Sequence, residues 1–168
     1  MYSKVILVFC YLVFLGCVSS NSSVYESYEK SGIISNFDSS EIRLRHLDSI
    51  NAIRLERGLA ELNISPELNA SADTHARDIA VQKRAWNFGS DYSSPLNRAL
   101  VSGFNGSIRG ENVSETFEGE FSILQVWLNH ELSRLVILDP KLTHLGLGWH
   151  QEESGKIWWV QDLGQHKK

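Results

Sequence analysis

The segment "HLGLGWHQEESGKIWWVQDLG", residues 144–164, has the clearest secondary-structure pattern in the chain. In its first part, Leu145, Leu147 and Trp149 alternate with glycine and histidine, which is the period-two pattern of a strand that buries one face. Its last part is rich in β-branched and aromatic residues, and "EESGK" between the two parts has the composition of a turn. The segment therefore predicts an antiparallel β-hairpin.

Helices are predicted before the hairpin. Three of them begin at a capping residue, and two of these have proline at the next position. The capping residues are Asp38, Ser65 and Ser94, and the helices end at Gly58, at "NFG" (residues 87–89) and at Gly103. A further long helix is predicted, with the apolar residues of one side at Phe121, Leu124, Leu128 and Leu132.

The stretch from Gly103 to Gly110 is predicted to be a loop, because glycines are spaced along it, and this loop leads to Glu111 in "RGENVSE". Helices followed by a strand pair, without repeated βαβ alternation, indicate the α+β class. The expected architecture is an antiparallel sheet covered by helices.

Size and charge limit the possible functions. With 168 residues, the chain is long enough for one domain with a substantial core. Its net charge of -4, with no basic cluster, argues against nucleic acid as a partner. The composition, with 42% hydrophobic and 21% charged residues, is that of a globular protein.

The N-terminal residues have the features of an export signal. Lys4 precedes the apolar run "VILVFCYLVFL", which has the length of a signal-peptide core and is short for a membrane-spanning helix. The following "LGC" resembles a lipobox, which would make Cys17 the lipidated first residue of the mature chain. Cleavage by an ordinary signal peptidase, without lipidation, is the alternative. The resulting boundaries are a signal peptide at 1–16, a serine-rich tether at 17–37 and the domain at 38–168.

Cysteines and glycosylation sequons add little to the functional picture. Cys10 lies in the apolar run and Cys17 at the cleavage site, so the mature domain is expected to have no internal disulfide. Asn-x-Ser sequons occur at Asn21, Asn63, Asn69, Asn105 and Asn112.

A family resemblance emerges from motifs that occur in a characteristic order. "SINAIRLERGLAELNISPELNASADTHARDIA", "SSPLNR", "GENV", "VWLN", "ILDP", "LGLGW" and "WWVQDLG" together resemble the prokaryotic branch of the CAP superfamily. This domain is shared by cysteine-rich secretory proteins, antigen 5 and plant pathogenesis-related proteins. The resemblance covers about Ser49 to Gly164. It implies an α-β-α sandwich, and it places Glu111 in the His/Glu cavity of the family, which holds a divalent metal in some members.

The two histidines that usually complete this cavity are missing. Aligned on the family motifs, their places are taken by Asn87 and Ser133. His130 falls three residues after Trp127, where the eukaryotic branch places an acidic residue, so it is a candidate replacement. Glu111 and His130 supply two ligands, whereas a zinc site needs three or four, so no metal or other cofactor is predicted.

The remaining histidines and tryptophans have structural interpretations. His75 is expected to pack within its helix, His144 and His150 to be exposed, and His166 to belong to a polar tail. Ser133 with His130 as its base is a weak nucleophile candidate, because no nucleophile-elbow motif surrounds the serine. Trp127 and at least one of Trp158 and Trp159 are expected in the core.

Two classes of function follow from these residues. The first is an exported, lipid-anchored binding module with a degenerate cavity formed by Asn87, Glu111, His130 and Ser133. Its ligand would be a small molecule, a lipid or an envelope protein that the sequence does not identify. The alternative is a hydrolase or metal-dependent protein that uses a rebuilt cleft around Glu111 and His130. Replacement of both family histidines favours the non-enzymatic class.

Overall fold

The computed structural model describes residue 34 and residues 38–167. Five helices and four strands occur in this part of the chain. In chain order they are α1 (Ser39–Leu55), β1 (Asn63–Ile64), α2 (Pro66–Gln82), α3 (Pro95–Val101), β2 (Gly106–Thr116), α4 (Glu120–Asn129), α5 (Glu131–Ile137), β3 (His144–Gln151) and β4 (Ile157–His166).

The predicted hairpin is confirmed. β3 and β4 are antiparallel, and their register runs from His144 opposite Gly164 to Gln151 opposite Ile157. Gly155 in the connecting turn has φ +88°, a conformation that glycine adopts without steric cost.

The sheet has four strands in the order β1-β3-β4-β2. β2 is antiparallel to β4, which confirms an antiparallel centre, whereas the two-residue β1 is parallel to β3 and makes the sheet mixed. The α+β class predicted from the sequence is confirmed.

Helices cover both faces of the sheet. Successive side chains of a strand point to opposite faces, yet the neighbours Trp158 and Trp159 are both buried, with 1% and 0% of their surface exposed. Trp159 belongs to the cluster built with α1 and α4, and Trp158 packs with the alanines and Ile79 of α2. The result is a three-layer α-β-α sandwich. Trp127 is also in the core, as predicted.

The predicted helix starts are also confirmed. The Ser65 hydroxyl accepts a hydrogen bond from the backbone N–H of Leu68 at 3.1 Å, and Pro66 is the first residue of α2. Ser94 and Asn97 form a reciprocal capping box at the start of α3. Asp38 occupies the N-cap position of α1 without a capping hydrogen bond from its side chain.

The loop predicted between Gly103 and Gly110 is wrong over its second half. β2 begins at Gly106 and continues to Thr116, so Glu111 lies within a strand, opposite Asp162 of β4. Glycine and asparagine have low strand propensity, but the backbone of this segment finds its hydrogen-bond partners on β4. Tertiary pairing therefore overrides local preference.

The predicted long helix is interrupted at His130. This residue has extended backbone angles (φ -89°, ψ 124°) and both ends α4 and begins α5. Because the helical period does not continue through the break, the predicted apolar side is not maintained. Leu124 before the break is buried, whereas Leu132 after it is 69% exposed. Phe121, at the start of α4, is 36% exposed and does not belong to the buried side of that helix either.

The N-terminal predictions lie outside the described residues. These are the signal peptide at 1–16, the tether at 17–37 apart from Ile34, and Cys17 itself. The backbone N–H of Ile34 donates to Oε1 of Gln151 at 2.8 Å. Within the described part of the chain, no helix combines the length and apolarity that crossing a bilayer requires.

Helix α2 lies directly on the glycines of β3. A Cβ atom on Gly146 would overlap the backbone of Leu68, and one on Gly148 would overlap the backbone of Ala72 and Asp73. Such overlap with backbone cannot be relieved by a side-chain rotation. The alternating glycines of "HLGLG" are thus the reason that α2 approaches the sheet so closely.

Gly146→Ser is expected to lower the free energy of unfolding by about 1–3 kcal/mol, because the added atoms overpack the contact with α2. Gly119→Ser is the matched control. No atom lies within 4 Å of the Cβ position at Gly119, which is the N-cap of α4, where serine is favoured. Urea denaturation measures both variants, and equal stability of the two would contradict the close-packing argument.

Candidate functional site

Glu111 projects from β2 into the layer between the sheet and helices α2 and α3. Its side chain is fully buried, and both carboxylate oxygens are engaged. Oε1 accepts a hydrogen bond from Nδ2 of Asn87 at 3.0 Å, and Oε2 accepts one from Nη2 of Arg98 at 2.6 Å. The same Asn87 amide also lies 3.0 Å from the backbone oxygen of Glu111. The carboxylate is therefore neutralised and held in place.

Arg98 is the cation of this cluster, and its position follows from the start of α3. The capping box and Pro95 fix the first turn, so that Arg98 and Ala99 form the buried face of the helix. The guanidinium also donates to the backbone oxygens of Ser93 at 2.8 Å and Asn87 at 3.2 Å. A buried charge is tolerated only when it is paired and hydrogen-bonded, and Arg98 meets both conditions.

His75 of α2 contributes a neutral imidazole to the cluster. Its side chain is fully buried, with Nε2 3.7 Å from Oε1 of Glu111. Nε2 is 2.8 Å from the backbone oxygen of Trp86, and because a carbonyl only accepts, Nε2 carries the proton. Burial is the main reason that the pKa of His75 is lowered, with Arg98 acting in the same direction and Glu111 opposing both.

Asp162 of β4 is the second acid of the cluster and lies opposite Glu111 in the ladder. It is fully buried, and neither of its oxygens has a hydrogen bond of standard geometry. Burial, followed by the nearby charge of Glu111, raises the pKa of Asp162 well above its usual range, against smaller opposing effects of Ser71 and Arg98. A protonated Asp162 leaves the cluster without net charge, because Arg98 already balances Glu111.

The four residues proposed from the sequence do not all meet. Asn87 and Glu111 are in contact, whereas His130 and Ser133 lie together at the junction of α4 and α5. There, Nδ1 of His130 is 3.2 Å from Oγ of Ser133 and accepts from its backbone N–H as a helix cap. Within the described residues, no hydrogen bond or ion pair joins His130 or Ser133 to Glu111.

Sequence reasoning missed three members of the cluster, His75, Arg98 and Asp162. His75 is packed inside its helix, as predicted, but its neighbour Glu111 lies far away in sequence. The available signal was a polar residue on a buried face. His75 lies three residues after Ala72 and four before Ile79, and Asp162 follows the apolar run of residues 157–160 within the same strand. Arg98 had no comparable signal, because arginine is ordinary on a short helix.

The cluster does not fit a metal ion. In residues 38–167, no group of three or more His, Cys, Asp or Glu side chains is arranged to hold one. Both oxygens of Glu111 are occupied, and the Arg98 guanidinium at 2.6 Å supplies the positive charge that a metal would bring. The arrangement can fix β2 against α3 and the segment before it, and neither oxygen of Glu111 is left free for a substrate.

An α-β-α sandwich with a buried acid on the strand that flanks the central hairpin defines a recognisable class of domain. Residues 47–163 match the model of the Cysteine-rich secretory protein family (CAP), and the chain belongs to this family.

Three similar proteins illustrate the relationship. The Bacillus subtilis protein YkwD is 31% identical over 115 residues, which is 68% of this chain and 44% of YkwD. An outer surface protein from Borrelia burgdorferi has a TM-score of 0.70 at 16% identity, covering 77% of this chain and 96% of the Borrelia chain. An extracellular SCP-domain protein from Bacillus anthracis has a TM-score of 0.65 at 20% identity, and the match covers 83% of this chain and 42% of the anthracis chain. This chain thus spans less than half of YkwD and of the anthracis protein.

Arg98→Met is expected to lower the free energy of unfolding by about 3–5 kcal/mol, because it leaves Glu111 buried without a counter-ion. Arg109→Met is the matched control. It breaks the ion pair between Arg109 and Asp139, in which the side chains are 34% and 18% exposed respectively. The expected loss of unfolding free energy is less than about 1 kcal/mol. Chemical denaturation of both variants measures the difference, and similar losses would contradict the structural role of Arg98.

Asp162→Asn is expected to change how stability depends on pH. The pKa of Asp162 is raised in the folded state, so its stabilising contribution is complete below about pH 4 and is lost as the pH rises towards the folded value. The variant should therefore gain stability relative to the native protein as pH increases, by up to about 1 kcal/mol per pH unit. Parallel pH profiles of unfolding free energy for the two proteins would contradict a protonated Asp162.

Proposed function

We propose that the protein is an exported, lipid-anchored CAP-domain module that binds a ligand or partner of the cell envelope or extracellular space and does not catalyse a reaction. The observation that carries the proposal is the state of Glu111. It is fully buried, and each of its oxygens is hydrogen-bonded to Arg98 or Asn87. A general base needs a free oxygen within reach of a substrate proton, and this residue offers none.

The position of His130 counts against a rebuilt catalytic or metal cleft. Its side chain is exposed and caps α5, where it contacts Ser133 of the same helix. A nucleophile activated by His130 would also need a binding cleft and an oxyanion site, and Ser133 instead serves the helix cap. The degenerate cavity is therefore a structural element of the domain.

Export is supported by the sequence of residues 1–17 and by the class of similar proteins. Structural neighbours include an outer surface protein and an extracellular protein. Cys17 would carry the lipid, and residues 18–37 would link it to the domain. The anchor is part of the proposal, and it is tested separately from the binding role.

A binding module needs a recognition surface, and helix α3 offers one. Leu96 and Leu100 lie one helical turn apart and are 46% and 56% exposed, while Arg98 and Ala99 occupy the opposite face. Val101 beside them is 90% exposed. Adjacent apolar side chains on a surface are a common feature of interaction sites.

Zinc titration tests the non-catalytic assignment of the cavity. The native protein, Glu111→Gln and His130→Ala are compared by calorimetry, each with its folding checked by circular dichroism. We expect both variants to behave as the native protein does, because neither residue contributes to a metal site. Zinc binding that disappears in both variants would establish a rebuilt metal centre and overturn the proposal.

Envelope binding is tested with the Cys17→Ser chain, which has no lipid to hold it at a membrane. Cosedimentation with cell-envelope fragments should fall at least about tenfold in Leu96→Ser/Leu100→Ser. Val81→Ser, which changes a side chain 81% exposed on α2, is the control and should bind as the parent does. Failure of the parent chain to cosediment would contradict the binding role.

The lipid anchor is tested by mass spectrometry and fractionation of the chain expressed with its N-terminal segment. The native protein should carry the mass of a lipidated Cys17 and remain with membranes, whereas Cys17→Ser should be released. Equal processing and localisation of the two would refute the anchor and leave the cavity result untouched.

A further inference from the structure

His144 and His166 form a pair at the edge of the domain, outside the Glu111 cluster. His144 begins β3 opposite Gly164, and His166 follows Gly164 by two residues on β4. The two histidines are therefore diagonal neighbours on one face of the sheet. Their ring centroids are 5.2 Å apart. His166 belongs to the sheet, which corrects its assignment to a polar tail.

The separation of the rings suits a shared metal ion. Two imidazoles bound through nitrogen to one tetrahedral ion at about 2.0–2.1 Å have ring centroids about 5 Å apart. The observed spacing therefore requires little rearrangement of the backbone. Phe104 supports both rings from one side, with centroids 6.2 Å from His144 and 5.7 Å from His166.

Nδ1 of each ring already has a hydrogen-bond partner, as the non-ligating nitrogen of a metal-bound histidine usually does. Nδ1 of His166 lies 2.8 Å from the backbone oxygen of Lys167, so it donates its proton and leaves a lone pair on Nε2. Nδ1 of His144 lies 2.8 Å from Oγ1 of Thr143. Such partners fix the orientation of the rings, as they do for the histidines of metal sites.

A carboxylate lies close enough to favour a cation. Glu67, at the start of α2, interacts electrostatically with both histidines, and its Oε2 accepts a hydrogen bond from the Ser65 hydroxyl at 2.6 Å.

We propose that His144 and His166, with Glu67 beside them, form a surface site for one divalent transition-metal ion of the zinc type. Imidazole nitrogen selects zinc, copper and nickel over magnesium, which prefers oxygen ligands. No three ligand side chains converge within the described residues, so the two histidines are the protein ligands and water completes the coordination. With fewer protein ligands than the three or four of a structural or catalytic zinc site, this is a weak surface site that binds an exchangeable ion. A bound ion would join the end of β4 to the start of β3.

The test is zinc titration of the full chain without a polyhistidine tag, with Cys10→Ser and Cys17→Ser so that neither thiol contributes. Calorimetry should show one equivalent of Zn²⁺ and no uptake of Mg²⁺. Binding should be absent in His144→Gln and in His166→Gln, and weakened about tenfold or more in Glu67→Gln. His150→Gln, which changes another half-buried histidine of β3, is the matched control and should bind as the parent does.

The thermal unfolding midpoint is a second measurement, which distinguishes loss of zinc binding from loss of folding. Zinc should raise the thermal unfolding midpoint of the parent and of His150→Gln, and should leave the midpoints of the two site variants unchanged. No saturable binding by the parent, or binding that survives in both histidine variants, would overturn the proposal. Binding at this pair persists in Glu111→Gln and His130→Ala, so it is distinguishable from a metal in the cavity.

Discussion

Burial of β4 from Ile157 to Gly164 is the constraint on which the rest of the domain depends. Layers of helices cover both faces of this strand, so each polar side chain on it needs a partner in a neighbouring layer. On one face, Gln161 donates to Nε2 of His46 at 2.8 Å and accepts from Nδ2 of Asn112 at 2.9 Å. Burial lowers the pKa of His46 to about 4, so the ring is neutral and can accept this bond. On the other face, Asp162 faces Glu111, and a buried acid pair is compatible with folding only if charge is balanced locally.

Arg98 provides that balance, and its presence explains why the cavity differs from a metal centre. A guanidinium delivers charge and directional hydrogen bonds without needing three further ligands. Arg98 reaches Glu111 because Pro95 and the capping box fix the first turn of α3. The sequence at the start of this helix therefore determines where the guanidinium lies relative to a residue of β2. The same contact that stabilises the acid also occupies an oxygen that a general base would need. A carboxylate whose two oxygens are both hydrogen-bonded within the protein stabilises the fold, and it has no oxygen left to accept a proton from a substrate.

The sequence predicted those parts of the fold that local patterns encode. The hairpin follows from alternation, and two helix starts follow from serine before proline at Ser65 and Ser94. β2 could not be predicted in the same way, because its strand conformation depends on hydrogen bonds to β4. The break at His130 was missed because apolar periodicity continues in the sequence while the backbone turns. The sequon at Asn112 shows the same limit: the motif is present, but the side chain is 4% exposed and bonded to Gln161.

The two groups of histidines therefore differ in what they can do. His75 and His46 are enclosed, neutral and committed to fixed partners, so they hold layers together and exchange little with solvent. His144 and His166 lie where β3 begins next to the end of β4, and Nδ1 of each ring is already hydrogen-bonded, so that Nε2 is the ring nitrogen that remains for a ligand. Family resemblance draws attention to the interior position of Glu111. The contacts of Glu111 support the proposal that recognition by this domain takes place at its surface, on elements that the closed interior keeps rigid.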